Sequence, residues 1–253
     1  MTTTGHGAYG GSVVDDDLWA RRSSAFGAAA REYAEHRPGY APAALDWLLE
    51  GAGRDVHDVL DLAAGTGKLC GALDPAMLAE LGRRVPSARR LVGRAEAVPL
   101  ADDSVDVVAV GTAWHWFDTD RARAEVRRVL RPGGVLGLVY ALDRTDVPWV
   151  AEVGRLALTS VSTTPPDPDA PFDLTGWEGW ELEERRFDHV HRRTADSLTA
   201  MFGTQSHTMV VSPEERAETL ARVRAFLASQ PETAEGEFDL PMQTWVARLR
   251  PPG

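Results

Sequence analysis

A short loop after an apolar stretch carries the first residues that could do chemistry. Val56–Leu62 (VHDVLDL) is rich in leucine and β-branched side chains and predicts a buried strand. The chain continues as Ala63-Ala64-Gly65-Thr66-Gly67, and the residues that follow have a helical pattern. Such a loop presents free backbone N–H groups, and its glycines let a ligand approach closely because they lack a Cβ. We predict a ligand site here, with a purely structural turn as the alternative.

A second candidate site follows another predicted strand, Val105–Val110. Trp114-His115-Trp116-Phe117 lies just beyond the carboxyl end of this strand, where ligands bind in open α/β sheets. Aromatic faces attract cations, so these rings could wall a pocket for one. Histidine is a common general base at neutral pH. The alternative is that the aromatics pack the sheet against the next helix and the histidine is a hydrogen-bonded structural residue.

Strands and helices alternate along much of the chain. The other predicted strands are Arg89–Val92, Val135–Tyr140, Glu181–His191 and residues 237–249. Predicted helices cover residues 18–40, 75–84 and 121–130, with further helices opening at Pro42 and at the capping-box pattern Ser212-Pro213-Glu214-Glu215. This alternation is typical of an α/β protein with a parallel sheet.

Composition narrows the class of protein. The 253 residues are 43% hydrophobic and 26% charged, which is typical of a globular domain and excludes collagen-like and wholly disordered chains. The net charge of −11 argues against non-specific nucleic-acid binding, because an acidic surface repels phosphate backbones. The sequence shows no apolar run of membrane-spanning length, no secretory signal and a single cysteine. We therefore expect a cytoplasmic protein with no membrane association and no cysteine-based zinc site.

Five motifs occur in an order that points to a known family. They are Tyr33 with Arg37–Tyr40 (RPGY), Asp61–Gly67, Gly93–Leu100 (GRAEAVPL), Ala113–Phe117 and Leu130–Gly134 (LRPGG). Together they resemble the class I S-adenosylmethionine-dependent methyltransferases, and within these the small actinobacterial-type, methyltransferase type 11-like enzymes. The resemblance covers residues 26–145 well and the remainder loosely. It implies a Rossmann-like, doubly wound, mostly parallel sheet with an antiparallel strand near the C-terminus.

Residues 1–17 are rich in Gly and Thr and then acidic, so we expect a flexible leader there. The resemblance implies a single methyltransferase domain (18–253). In that domain, residues 18–50 would form a helical cap, 56–145 the cofactor-binding core, and 146–253 the substrate-side and C-terminal elements. The implied activity is methyl transfer from S-adenosylmethionine to a small-molecule acceptor. The sequence defines neither that acceptor nor the oligomeric state.

The resemblance also implies which residues form the site. Those implied to bind the cofactor are Arg37, Asp61, Ala63, Gly65, Gly67, Ala95, Glu96 and Gly111, and those implied to line the acceptor pocket are Tyr33, Trp114, Trp116 and Phe117. Asp61 would anchor the amino end of the cofactor, and Ala95 with Glu96 would contact adenine. Arg37 would pair with the cofactor carboxylate or with an acid of the cap. His115 is the candidate general base, and no residue is assigned to a metal.

One segment departs from the family pattern. Only the stretch from Gly67 to Asp74 separates the loop from the next matching segment, whereas a crossover between parallel strands needs a dozen or more residues. The second strand of the family, and the acid at its end that binds both ribose hydroxyls, are therefore missing from this stretch. Either the segment is deleted from the protein, or it has been lost from the recorded sequence between Leu73 and Asp74.

Two other functions stay open. A nicotinamide-dependent oxidoreductase also uses a strand, a glycine loop and a helix, but the loop DLAAGTG lacks the third glycine of GxGxxG. The chain also has no acid at the end of a second strand about 20 residues after this loop. A non-catalytic binding or regulatory module with impaired cofactor binding would account for the missing strand.

Overall fold

The structure, a computed structural model, describes residues 30–64, 87, 89, 91–162 and 175–252. Its helices are α1 (Ala30–His36), α2 (Pro42–Glu50), α3 (Thr119–Val129), α4 (Pro148–Leu156), α5 (Ala195–Gly203), α6 (Ser206–Met209) and α7 (Pro213–Ser229). Its strands are β1 (Val59–Asp61), β2 (Val105–Gly111), β3 (Leu130–Asp143), β4 (Glu181–Arg193) and β5 (Phe238–Arg250). The predicted leader, the loop glycines Gly65 and Gly67, and the junction of Leu73 with Asp74 lie outside the described residues.

The described strands form one five-stranded sheet in the order β1-β2-β3-β5-β4. Strands β1, β2 and β3 are parallel, and β5 lies antiparallel to both of its neighbours, β3 and β4. Residues Val105 to Val110 of β2 are all buried, as expected of a strand covered on both faces. This confirms the predicted fold class, including the antiparallel strand near the C-terminus.

Three strand predictions differ from the structure, the first being β1, which spans only Val59–Asp61 of the predicted Val56–Leu62. Residues 89, 91 and 92 have no regular secondary structure, so the predicted strand over Arg89–Val92 is wrong for the described part of that segment. The side chain of Val92 is 75% exposed, so this apolar residue lacks the burial that would stabilise a core strand. Strand β3 extends beyond the predicted Val135–Tyr140 at both ends. It begins at Leu130, opposite Val105 of β2, and continues to Asp143, opposite Met242 of β5.

Helix α2 packs closely on the sheet through Ala44 and Leu48, which are both buried. A Cβ atom added at Gly137 of β3 would lie 2.3 Å from Cδ2 of Leu48. Glycine at this position therefore sets the close approach of α2 to the middle of the sheet. Helix α2 directly follows the segment that contains Tyr40. The distance of α2 from the sheet therefore also sets the position of that segment.

Asp106 fixes the short strand β1 against β2. Its Oδ2 accepts hydrogen bonds from the backbone N–H groups of His57 and Asp58, both at 3.0 Å. Its carboxylate also forms ion pairs of 3.0 Å with Arg54 and with Arg131. The two backbone donors and Arg131 hold the pKa of this carboxyl well below its usual range. A three-residue strand is thereby held in register by a buried side chain as well as by backbone pairing.

Within the described ranges, none of the helices is both long and apolar enough to cross a membrane.

Candidate functional site

The carboxyl ends of β1 and β2 bring the first candidate residue, Asp61, into a buried position. Asp61 pairs with Ala109 across the two strands and is 9% exposed. Neither carboxylate oxygen has a hydrogen-bond partner among the described residues. Burial raises the pKa of Asp61 well above its ordinary value. A buried carboxylate without a partner is costly, so this position is suited to a cationic ligand group.

Backbone strain occurs at the same edge of the sheet. Ala63 has a φ of +67° and Thr112, just after β2, has a φ of +50°. Positive φ is uncommon for residues with a Cβ and especially so for a β-branched threonine. The N–H of Thr112 donates to Val139 O at 2.8 Å, which helps hold the residue in this conformation. Such strain is often found at ligand sites, and Ala63 begins the loop for which a ligand site is predicted.

The segment between α1 and α2 lies over this edge. The hydroxyls of Tyr40 and Thr112 are 3.2 Å apart, and the N–H of Ala41 donates to Oγ1 of Thr244 at 2.9 Å. Burial raises the pKa of Tyr40, and the charge of Asp61 acts in the same direction. Tyr40 is therefore close enough to Asp61 to sense its carboxylate. The predicted cap is thus tied to the end of β2 and to the middle of β5.

Arg37 is held by a residue that the sequence did not single out. Its Nε donates to Oγ1 of Thr204 at 3.1 Å and its Nη2 to the Thr204 carbonyl at 3.0 Å. Its guanidinium also stacks over the ring of Tyr33, 5.1 Å from the centroid. These contacts join the cap to the end of α5. The predicted pairing of Arg37 with a cofactor carboxylate stays a prediction.

His115 lies in a 3₁₀ turn (Trp114–Trp116) beside the sheet. Its Nδ1 is 3.1 Å from the hydroxyl of Tyr140, and its ring centroid is 5.0 Å from that of Trp116. Burial lowers the pKa of His115 from 6.5 to about 4. The imidazole is therefore neutral at neutral pH and could accept a proton, but as a weak base.

The three aromatic residues of this motif have different surroundings. Trp114 is 5% exposed and packs in the core, with its ring centroid 5.2 Å from Trp177 and 5.6 Å from Phe117. This packing favours the core alternative for Trp114 over a role in a pocket wall. Trp116 and Phe117 are half-buried, so they stay candidates for the pocket wall.

The predicted adenine-contacting segment has its own structural bonds. Ala95 is buried, and Glu96 accepts the N–H of Asp118 at 3.0 Å and the Nε–H of Arg94 at 3.3 Å. Because Asp118 is the N-cap of α3, Glu96 helps fix the start of that helix. A contact of Glu96 with adenine stays a prediction, as does one of Gly111 with the cofactor.

Comparisons of the sequence and of the structure with known proteins both find methyltransferases. The family profile described as "Methyltransferase domain" matches residues 60–138. An uncharacterized methyltransferase of Mycobacterium tuberculosis is 38% identical over 239 residues, which covers 89% of this chain and 95% of that one. A second uncharacterized methyltransferase, from Schizosaccharomyces pombe, is 35% identical over 139 residues, covering 49% of this chain and 55% of that one.

One solved structure is similar over most of its length. It is assigned as a type II methyltransferase from Anaeromyxobacter dehalogenans and superposes with a TM-score of 0.60 at 27% sequence identity. The match covers 86% of this chain and 99% of that chain.

Proposed function

The chain belongs to the class I methyltransferases, and on that premise we propose that it transfers a methyl group from S-adenosylmethionine to a small-molecule acceptor. The observation that carries the cofactor assignment is the buried carboxylate of Asp61 at the end of β1, which has no partner among the residues that the structure describes. S-Adenosylmethionine carries an ammonium group that such a carboxylate would bind, and the ion pair would remove the desolvation cost of the free site. The chemistry of Asp61 therefore fits the cofactor that the family implies.

The other residues of the edge would position the cofactor. The loop from Ala63 to Gly67 follows Asp61 directly, and its glycines would allow the backbone to approach the methionyl part. Gly111, at the end of the neighbouring strand β2, and the segment at Ala95 and Glu96 would lie along the nucleoside. When bound, the cofactor supplies a methyl group activated by the adjacent sulfonium.

The acceptor side would be formed by the cap and by the turn after β2. Tyr33 and Tyr40 lie in the cap, Trp116 ends the 3₁₀ turn and Phe117 follows it. Holding the acceptor atom in line with the methyl carbon can supply much of the rate without a base. Because its pKa lies near 4, His115 is neutral at neutral pH and would remove a proton from the acceptor only as a weak base.

Calorimetry with three ligands separates this proposal from its alternatives. Binding of S-adenosylmethionine and S-adenosylhomocysteine without NAD would support the methyltransferase. Binding of NAD alone would select the oxidoreductase, and binding of none of the three would select a module that has lost its cofactor. Asp61→Asn, with Asp188→Asn as an exposed control on β4, tests whether the binding occurs at the end of β1.

A further inference from the structure

Arg193, the last residue of β4, is a buried cation that is only partly satisfied. It is 4% exposed, and its Nη2 donates to the carbonyl of His36 in α1. Its Nε has no hydrogen-bond partner among the described residues. Burial lowers the pKa of this guanidinium, which reflects the cost of keeping the charge away from water. Buried polar groups nearly always have a hydrogen-bond partner, so this N–H calls for an explanation, and a bound ligand is one.

Asp143, at the end of β3, is the nearby acid, but it does not pair with Arg193. Desolvation raises the pKa of Asp143, while the charges of Arg37 and Arg193 lower it. The carboxylate forms no ion pair and accepts no hydrogen bond from the described part of the chain. The three side chains are therefore close enough to interact electrostatically without satisfying one another. Their summed charge is about +1 when all are ionised, which favours an anionic ligand.

This cluster (Arg37, Arg193 and Asp143) lies far from the end of β1. Asp61 is opposite Ala109, which is opposite Gly137 on β3. Asp143 is six residues beyond Gly137, so the strand geometry places it about 20 Å from Asp61. Arg37 lies near both Tyr40 and Asp143, because its charge lowers the pKa of each. A ligand at Arg193 would therefore lie beyond the amino end of a cofactor held by Asp61.

We propose that Arg193, together with Arg37, binds an acidic group of the methyl acceptor, a carboxylate or an anion of similar chemistry. The inference rests on the proposed function, because it assigns the bound anion to the methyl acceptor of a cofactor held at the end of β1. The Nε–H of Arg193 donates to the acid, and Arg37, fixed by Thr204 and Tyr33, contributes the second positive charge. The negative charge of Asp143 repels the anion and so lowers the affinity of the site for it.

Acetate serves as the probe, because it carries the proposed group and little else. Thermal unfolding of the full chain, saturated with S-adenosylhomocysteine, is followed while sodium acetate replaces sodium chloride at constant ionic strength. A ligand that binds only the folded state raises Tm with its concentration. The wild type gains Tm with acetate, and Arg193→Gln loses that gain. Arg192→Gln, a neighbouring exposed arginine that pairs with Asp239, keeps it.

Asp143→Asn should strengthen acetate binding, whereas Arg193→Gln abolishes it. A loss of structure would not produce this gain. Removing the competing negative charge lowers the acetate concentration at half-maximal Tm gain several-fold. The proposal is overturned if Arg193→Gln and wild type respond equally to acetate, or if Asp143→Asn binds acetate no more tightly. It is also overturned if the gain occurs without S-adenosylhomocysteine but disappears with it, since the site would then hold the cofactor carboxylate. Failure of the proposed function shows separately, as a wild type whose Tm does not respond to S-adenosylhomocysteine.

Discussion

The hydroxyl of Tyr40 lies 3.2 Å from Oγ1 of Thr112, a strained residue at the end of β2. This contact joins the segment before the sheet to the sheet edge at which Asp61 is buried. The cap therefore lies over the candidate cofactor site without any movement of the described elements. It also explains why residues so far apart in the sequence can act on one ligand.

Asp61→Asn should have opposite effects on binding and on stability. The folded pKa of Asp61 is raised, so its ionisation destabilises the ligand-free protein increasingly as pH rises above the unfolded value of 3.8. At pH 7 the variant should gain on the order of 1–2 kcal/mol in urea unfolding. It should bind S-adenosylhomocysteine at least tenfold more weakly in calorimetry. A variant with unchanged affinity would show that Asp61 does not contact the cofactor.

Ala63→Gly should stabilise the protein, because Ala63 has a φ of +67°. Relief of the left-handed strain outweighs the extra flexibility of glycine in the unfolded chain, for a net gain of about 0.5–1 kcal/mol. The matched control is Ala64→Gly, the same change at the next, buried residue, where no positive φ is found. That control should lose stability in the same urea titration, and equal signs for the two changes would contradict the strain argument.

Alternation of strands and helices was predictable because each buried element carries its own local pattern. Contacts between distant residues were not, since periodicity does not say which elements meet. Arg37 and Thr204 are 167 residues apart, and nothing local marks Thr204 or Arg193 as partners of the cap.

The capping-box pattern at Ser212 also shows that a local motif does not predict a contact with a distant residue. The side chain of Ser212 accepts the N–H of Glu215 as predicted, but the Glu215 carboxylate binds Ser160 instead of closing the capping box.

His115 should make the stability of the protein depend on pH in a defined window. Its pKa is 6.5 when unperturbed and about 4 in the folded state. Between these values the unfolded chain binds a proton that the folded chain excludes, so stability falls as pH drops from 6.5 towards 4. His115→Phe should remove a decline on the order of 2 kcal/mol between pH 7 and 4.5 in urea unfolding. If the stability of His115→Phe falls with pH as much as that of the wild type, another titrating group causes the decline.

Asp106→Asn should destabilise the protein by about 2–3 kcal/mol, because it disrupts a buried carboxylate with two backbone donors and two arginines. The folded pKa lies below the ordinary value of 3.8, so this contribution is present above that pH and is lost as pH falls through the folded pKa. Acid unfolding should therefore be less steep in the variant. Asp58→Asn, which removes a 54% exposed partner of Arg131, should cost under about 1 kcal/mol.

Gly137→Ala and Gly154→Ala should change stability in opposite directions. A Cβ at Gly137 would collide with Leu48 and displace α2, at a cost of about 1–3 kcal/mol. No atom lies within 4 Å of a Cβ at Gly154, inside α4, so alanine there should stabilise the helix by about 0.5–1 kcal/mol. Thermal unfolding of the pair measures both signs, and a neutral Gly137→Ala would show that α2 does not pack as closely as described.

The most direct measurement is a crystal structure of the full chain with S-adenosylhomocysteine. The account predicts that the amino nitrogen of the ligand lies about 2.7–3.2 Å from a carboxylate oxygen of Asp61, with the ligand along the ends of β1 and β2. A ligand bound elsewhere, or an Asp61 carboxylate that stays without a partner in the complex, would contradict it.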